Sequence, residues 1–182
     1  MTASDAAELV QRFDPGADGA ARKSQELVLG LLRQSSAPFS RNQFAPGHIT
    51  CTALVLHPTQ PLVLMMHHHR LHRWLLPGGH VEPEDLSLAA AAAREALEET
   101  NVRIDAGVPS VLAGIDVHGI PPKKQEPYHL HHDLIWSFRA VSEKIETSDE
   151  APRVMWASGA EADQLQIAES IRQSIYRTGL AW

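Results

Sequence analysis

Residues 78–102 read Gly78-Gly79-His80-Val81-Glu82-Pro83-Glu84-Asp85-Leu86-Ser87-Leu88-Ala89-Ala90-Ala91-Ala92-Ala93-Arg94-Glu95-Ala96-Leu97-Glu98-Glu99-Thr100-Asn101-Val102. The five alanines are strong helix formers and predict a helix after a glycine turn. At about 100° per residue, Arg94 and the three glutamates fall within an arc of roughly 140°. The opposite, packing side is predicted to hold Leu86, Ala89, Ala93, Ala96, Leu97 and Thr100.

The three carboxylates of this helix face, Glu95, Glu98 and Glu99, repel one another. Like-charged neighbours at i,i+3 and i,i+4 cost a helix roughly 0.2–0.5 kcal/mol per pair. A bound cation would offset that cost, and carboxylate oxygens suit Mg²⁺ or Mn²⁺. The alternative is a solvated acidic face. The glycine turn at a fixed distance before the acids favours the metal site.

Composition limits the class of partner. The chain has 182 residues, a formal net charge of −6 and a pI near 6.0. This balance does not suit a nucleic-acid or acidic-membrane binder, so we expect a small-molecule partner. No stretch approaches the roughly 18 apolar residues of a membrane span. The first five residues start no secretory signal, so we expect a cytoplasmic protein. The single cysteine, Cys51, is predicted to be a buried strand residue.

The chain divides into two parts. Residues 1–45 are predicted to form a helical extension, with helices at 6–13 and 24–32, that packs on the main domain or supports a homodimer. Residues 46–182 form that domain. Strands are predicted at 49–56, 62–66, 110–117, 129–141 and 154–156, and a final helix at 165–176. This order favours an α/β (α+β) class with a mixed sheet between helices.

The segment resembles the Nudix box, G-x5-E-x7-R-E-U-x-E-E-x-G-U, where U is a bulky aliphatic residue. Its core Arg94-Glu95-Ala96-Leu97-Glu98-Glu99 matches, and the preceding Trp74-Leu75-Leu76-Pro77-Gly78-Gly79-His80-Val81-Glu82 is also similar. Three departures stand out: the spacer from Gly79 to Arg94 is one residue longer, Asp85 replaces the early glutamate, and Asn101 replaces the last glycine. Asparagine is the next-best residue for a left-handed helix end. Asp85 or Ser87 can cap the helix.

The resemblance implies a Nudix α/β/α sandwich in which Glu95, Glu98, Glu99 and the Gly78 carbonyl hold Mg²⁺ or Mn²⁺. Arg94 would orient the glutamates. The implied reaction is hydrolysis of a nucleoside diphosphate derivative, of the nucleotide-sugar, ADP-ribose or nucleoside triphosphate type, by water attack on phosphorus. In this family a further metal ligand or general base often lies on a loop outside the box. Glu126 is the first candidate for that position and Glu150 the second.

Several cations near the box are candidate substrate contacts. Arg70 and Arg73 suit phosphate clamping, and Lys123 and Lys124 can meet a phosphate or lie in solvent. His80 follows the glycine turn directly. The consecutive histidines 67–69 cannot easily share one metal, because alternate residues of an extended segment point to opposite faces.

A predicted strand face carries His129, His131 and Asp133. These side chains can contact a substrate or serve in acid–base catalysis, or they can form a hydrated face of the sheet.

Two other functions remain open. A non-catalytic Nudix-fold nucleotide sensor would tend to lose box glutamates, and all three are present here. An isoprenoid-diphosphate isomerase of the same fold would need a protonating cysteine or an equivalent acid. Cys51 lies early in a predicted strand, which does not favour that chemistry.

Overall fold

The computed structural model describes residues 1–123 and 125–182. This part of the chain contains five helices and seven strands. The helices are α1 (Ala3–Arg12), α2 (Gly19–Gln34), α3 (Leu88–Thr100), α4 (Gly159–Leu165) and α5 (Glu169–Arg177). The strands are β1 (Gly47–Leu56), β2 (Val63–His68), β3 (Arg73–Leu75), β4 (Gly78–His80), β5 (Val111–Ile120), β6 (His129–Arg139) and β7 (Arg153–Ala157). Lys124 lies outside the described residues, so its phosphate contact stays a prediction.

Strand β1 lies at the centre of a mixed sheet. It pairs in parallel with β6 and antiparallel with β2 and β4. Strand β5 flanks β6, while β3 and β7 both pair with β2. The first two predicted strands form an antiparallel hairpin, with Leu56 of β1 opposite Val63 of β2. This mixed sheet packed between helices confirms the predicted fold class.

Alternate side chains of β1 point to opposite faces of the sheet, as strand geometry requires. On one face, Ile49 and Cys51 belong to a core shared with α1, α2 and α3. On the other, Leu54 belongs to a core shared with α4 and α5. Cys51 is fully buried, which confirms its predicted place. The start of the second face carries polar side chains instead, and these line the candidate site described below.

The two N-terminal helices pack on the sheet of their own chain. Thr2 and Asp5 form a capping box at the start of α1, and Asp18 caps α2. Val10 and Val28 are fully buried in the core that contains β1. A homodimer formed through this segment stays a prediction. Among the described residues, no helix has both the length and the apolar character that crossing a bilayer requires.

The C-terminal helix predicted at 165–176 corresponds to α5, which begins only at Glu169, and the preceding helix α4 was not predicted. Gln166 adopts the left-handed conformation at φ 52°, and Ala168 is extended, so the helix stops and restarts. The short strands β3 and β4 were also missed, since three residues beside polar or glycine-rich turns give too little periodicity to read.

The packing side predicted for the box helix is partly wrong. Leu86 is 90% exposed because it precedes the first helical residue, Leu88, and Leu97 is also exposed. Glu99, assigned to the polar side, is only 4% exposed. The helix is therefore rotated so that one carboxylate of the acidic group points into the protein.

Candidate active site

Helix α3 is capped by Ser87 at its N-terminus and by Asn101 at its C-terminus. The Ser87 hydroxyl accepts a hydrogen bond from the Ala90 N–H at 3.1 Å and caps the first turn. Asn101 ends the helix in the left-handed conformation, with φ 52°, as its replacement of glycine predicted. The acidic residues of the box are thus held on a helix with defined ends.

Arg94 joins the helix to the preceding turn. Its Nε and Nη2 donate to the two carboxylate oxygens of Asp85, each at 3.1 Å, and Nη2 also donates to the His80 carbonyl at 2.8 Å. Nη1 donates to Glu95 at 2.9 Å and to Glu98 at 3.2 Å. Arg94 thus bridges Asp85, Glu95 and Glu98, and its role in orienting the glutamates stays a prediction.

Two departures from the box pattern, the replacement of glutamate by Asp85 and the longer spacer, both involve the ion pair between Asp85 and Arg94. Asp85 stands nine residues before Arg94, so the extra residue of the spacer lies between the two partners. The Glu82 N–H also donates to Asp85 at 2.8 Å. Burial acts to raise the pKa of Asp85, but the hydrogen bonds from Arg94 and Glu82 outweigh it and lower the pKa. The hydrogen bond to Asp85 in turn raises the pKa of Arg94. Both groups therefore stay charged at neutral pH.

Two box carboxylates are held in a setting that disfavours negative charge. Burial raises the pKa of Glu99 to about 8, although the Gly78 N–H donates to it at 2.9 Å, and the nearby Glu95 and Glu150 add to the shift. Burial also raises the pKa of Glu95. A hard divalent cation would favour the ionised forms of these partly desolvated carboxylates. The residues present therefore suit the metal that the box implies.

The glycine turn fits closely between the helix and the sheet. A Cβ added at Gly79 would lie 2.5 Å from the Glu95 Oε1 atom. A Cβ added at Gly78 would instead meet Thr52 Oγ1 at 2.7 Å and the Cys51 carbonyl oxygen at 2.8 Å. Neither glycine has a positive φ. Both are required by this close approach and not by their backbone conformation.

We expect Gly79→Ala to lower mainly the activity and Gly78→Ala to lower mainly the stability. Alanine at Gly79 meets the movable end of Glu95, so the protein folds but the carboxylate shifts and turnover falls by about tenfold or more. Alanine at Gly78 meets backbone atoms of β1 and costs about 1–3 kcal/mol of stability. Thermal unfolding and steady-state kinetics on both variants check this. Equal loss of stability in the two would contradict the distinction.

A polar stripe runs along the start of the second sheet face, beside the glycine turn. The hydroxyls of Thr50 and Thr52 donate to the buried Asp133 at 2.8–3.0 Å. Thr52 is also the strand partner of Gly78, so the stripe reaches the box turn. Burial raises the pKa of Asp133, against the opposing effects of His118 and the threonine hydrogen bonds.

Histidines extend the stripe away from the turn. The His48 ring lies 5.0 Å from those of His80 and His131 and 5.1 Å from that of His129, measured between centroids. Burial lowers the pKa of His131 to about 2 and that of His80 to about 4, and neighbouring histidines add to both shifts. His129, His131 and Asp133 thus lie along one stripe, as the strand period predicted, and their contact with substrate stays a prediction.

These pKa shifts predict an optimum in the stability of the metal-free protein. Burial also lowers the pKa of His132 to about 4. Between pH 6.5 and 4, these histidines stay neutral in the folded protein, whereas the histidines of the unfolded chain take up protons. The free energy of unfolding therefore decreases as the pH falls toward 4. Glu99 acts in the opposite direction, because the unfolded chain ionises from 4.5 while the folded carboxyl holds its proton up to about 8.

Above pH 6.5 the Glu99 effect remains, and we expect stability in EDTA to fall by up to about 1.4 kcal/mol per pH unit as pH rises toward 8. Urea denaturation across this range measures the slope. Glu99→Gln should flatten it, since glutamine carries no titratable proton. An unchanged slope in that variant would show that another group causes the loss.

The remaining candidates lie around these two clusters. Arg70 is exposed in the β2–β3 turn and Arg73 is exposed at the start of β3, and their contact with phosphate stays a prediction. Lys123 is exposed, and its backbone pairs with Glu126 through hydrogen bonds of 2.9 and 2.8 Å. The charge of Glu126 acts on His48 and His80, whereas that of Glu150 acts on Glu95 and Glu99.

Sequence reasoning missed two residues of the stripe and its surroundings. His48 is a single histidine at a strand start and belongs to no short-range spacing that would single it out. Arg41 also escaped notice, although its charge contributes to lowering the pKa values of His48 and His80. Only the pairing of β1 with β6 and β4 shows that His48 lies beside His131 and His80.

Comparison with known proteins agrees with the fold and the box. The model of the NUDIX domain family matches residues 46–178. The solved NUDIX domain of Shewanella oneidensis NrtR, complexed with ADP ribose, aligns with a TM-score of 0.55 at 17% identity, over 82% of this chain and 95% of that one. A MutT protein from Methanosarcina mazei Go1 gives 0.53 at 22% identity, over 72% and 91%. A NUDIX hydrolase from Nitrosomonas europaea gives 0.52 at 23% identity, over 72% and 89%.

No curated protein matches the sequence significantly. The family match covers most of the chain and includes the whole acidic helix with its glycine turn. The chain therefore belongs to the NUDIX family.

Proposed function

We propose that this protein hydrolyses the diphosphate linkage of a nucleoside diphosphate derivative, with water attacking phosphorus. The observation that carries the proposal is the pair of carboxylates Glu95 and Glu99, held partly buried beside the glycine turn by Arg94 and the Gly78 N–H. Phosphoryl transfer needs positioning and charge neutralisation more than covalent help. The polar stripe next to the turn is the proposed contact surface for the part of the substrate beyond the phosphates.

The metal proposed for this site is Mg²⁺ or Mn²⁺, held by Glu95, Glu98 and Glu99 with the Gly78 carbonyl. When bound, such an ion neutralises charge on the phosphate oxygens and activates water. Arg94 keeps two of these glutamates in place through its hydrogen bonds. Arg70, Arg73 and Lys123 are the proposed phosphate contacts.

Glu150 is a better candidate than Glu126 for a carboxylate acting from outside the box. Its charge raises the pKa values of Glu95 and Glu99, whereas Glu126 influences the histidines of the stripe. Its backbone carbonyl accepts a hydrogen bond from the His69 N–H at 2.9 Å, which ties this loop to the end of β2. We propose Glu150 as the general base and Glu126 as a neighbour of the substrate-binding stripe.

His80, His129, His131 and Asp133 are the proposed contacts for the moiety beyond the phosphates. All four lie on or beside the stripe at the start of β1 and β6. The isomerase alternative is disfavoured by Cys51, which is fully buried and whose pKa is raised well above its usual value by burial. Such a thiol is not available to protonate a substrate.

A substrate screen tests the proposal. Purified protein with Mg²⁺, then Mn²⁺, is assayed against ADP-ribose, nucleotide sugars, diadenosine polyphosphates and nucleoside triphosphates, with released phosphate measured after phosphatase coupling. ADP-ribose and a diadenosine polyphosphate belong in the panel because structurally similar proteins have been solved with ADP ribose or described as an Ap4A hydrolase. Metal-dependent turnover of at least one compound is expected. Tight binding of a compound without turnover of any would favour the sensor alternative.

A further inference from the structure

The three histidines His48, His80 and His131 form a cluster apart from the carboxylates of the box helix. They come from three paired strands, β1, β4 and β6. One ring nitrogen from each lies within 4.8 Å of the other two. Within the described residues, this is the one group of three or more histidine, cysteine or acidic side chains that meets so closely.

His48 shows that the cluster lacks a partner. Its side chain is 1% exposed, and its Nδ1 lies 3.1 Å from the Gln43 carbonyl oxygen. Because a carbonyl oxygen only accepts hydrogen bonds, Nδ1 carries the proton and Nε2 has a free lone pair. That Nε2 atom is buried and has no hydrogen-bond partner among the described residues. Leaving a buried polar atom unsatisfied is costly, so a ligand there would stabilise the fold.

We propose that His48, His80 and His131 bind one Zn²⁺ ion through their imidazole nitrogens. The contact between His48 and Gln43 has the form found in metal sites, where a ligating histidine donates its second N–H to a backbone carbonyl and is thereby oriented. Three histidines with one remaining position for water or an anionic oxygen are a common zinc arrangement. Neutral nitrogen ligands suit zinc and not magnesium, so this ion is separate from the one held by the carboxylates.

The cluster needs only a small adjustment to close on an ion. Tetrahedral zinc with bonds of about 2.0–2.1 Å sets nitrogen atoms about 3.3 Å apart. The side chains of His80 and His131 make no hydrogen bond within the described residues, so they turn without breaking one. Both are half-buried, which leaves an approach for the ion. Burial keeps His131 and His48 neutral at physiological pH, the form that binds metal.

The backbone of His80 separates the two metal sites. Its carbonyl accepts from Arg94 on the carboxylate side, while its ring lies beside His48 and His131 on the stripe. Because His80 and His131 are also proposed contacts for the moiety beyond the phosphates, a bound zinc ion would take over their ring nitrogens and stand between them and that moiety. Its open position would add a contact for an oxygen of that moiety.

Metal binding measured without turnover tests this proposal. The protein is stripped with EDTA, given millimolar Mg²⁺ to fill the carboxylate site, and titrated with Co²⁺ while its visible absorption is recorded. Zinc content after dialysis is measured by mass spectrometry. We expect one equivalent of Zn²⁺ and an intense, tetrahedral Co²⁺ spectrum that Zn²⁺ displaces. His131→Gln should weaken zinc binding by more than the roughly 10–100-fold that losing an outer hydrogen-bond partner costs.

Two matched variants serve as controls. His69→Gln removes an exposed histidine from the neighbouring turn, and Glu98→Gln removes an acid from the box, so both should keep the zinc and the spectrum. His131 is the main test because it is half-buried, whereas a His48→Gln variant alters a fully enclosed position. Retention of the tetrahedral signal in His131→Gln, or its loss in Glu98→Gln, would overturn the proposal, as would absence of the signal in the parent protein.

Discussion

Replacing Glu98 and Glu99 together with glutamine is expected to lower kcat by about 10³-fold, since a bound metal supplies several kcal/mol of charge stabilisation in the transition state. Glutamine has nearly the same shape as glutamate, and it can still accept the hydrogen bond that the Gly78 N–H donates to residue 99. The double variant should therefore fold. In EDTA at about pH 8 it should resist heat better than the parent, because it no longer buries an ionising carboxyl group.

A lower kcat together with a higher thermal stability would show that the activity is lost through catalysis and not through unfolding. Steady-state kinetics with the best substrate of the screen and thermal unfolding of the same samples measure both. Glu84→Gln is the matched control, since Glu84 is exposed in the loop before α3 and its loss should change activity by no more than about twofold. Turnover of the double variant within tenfold of the parent would contradict the mechanism.

Removing Arg94 should produce the second-largest effect. Arg94→Ala leaves Asp85 and Glu95 without their common partner, although both are largely buried, at 6% and 16% side-chain exposure. Breaking a buried pair by deleting one partner costs about 3 kcal/mol, which for a chain of this size lowers Tm by roughly 6–12 °C. Since Glu95 and Glu98 also lose their shared donor, kcat should fall by about 100-fold and the metal concentration for half-maximal rate should rise.

The metal concentration for half-maximal rate is the informative measurement for Arg94→Ala. If the substitution only destabilised the fold, Tm would fall but this metal concentration would stay the same. Arg94→Lys should restore the charge and part of the stability but little of the rate, since a single ammonium cannot bridge Asp85, Glu95 and the His80 carbonyl. Arg103→Ala provides a control, as this exposed cation lies just beyond the end of α3. Full activity in Arg94→Lys would show that charge alone is sufficient.

Local spacing was enough to predict the acidic helix and its ends. Ser87 and Asn101 act at the helix ends as their residue types suggested, and Arg94 donates to Glu95, its neighbour in the box. The rotation of the helix was harder to predict, because its two large apolar residues lie on different sides: Leu88 is buried, whereas Leu97 is exposed. The burial of Glu99 therefore became visible only in the folded structure.

The polar stripe was only half predictable. The alternation of a strand places His129, His131 and Asp133 together, and this follows from sequence. The meeting of His131 with His48 depends on the parallel register of β6 and β1, which no local pattern encodes. The role of Asp85 was hard to predict for another reason. The replacement of glutamate by aspartate and the extra residue in the spacer each depart from the box pattern, and only the ion pair with Arg94 shows that the two changes belong together.

The parallel pairing of β1 with β6 also has a consequence for how the protein matures. Thr50 and Asp133 are 83 residues apart in the chain, so the stripe forms only after a long loop closes. The glycine turn and the acidic helix, by contrast, are complete by residue 102. During synthesis, the carboxylates emerge well before residues 129–133, so the polar stripe forms only once the central strand pair can close.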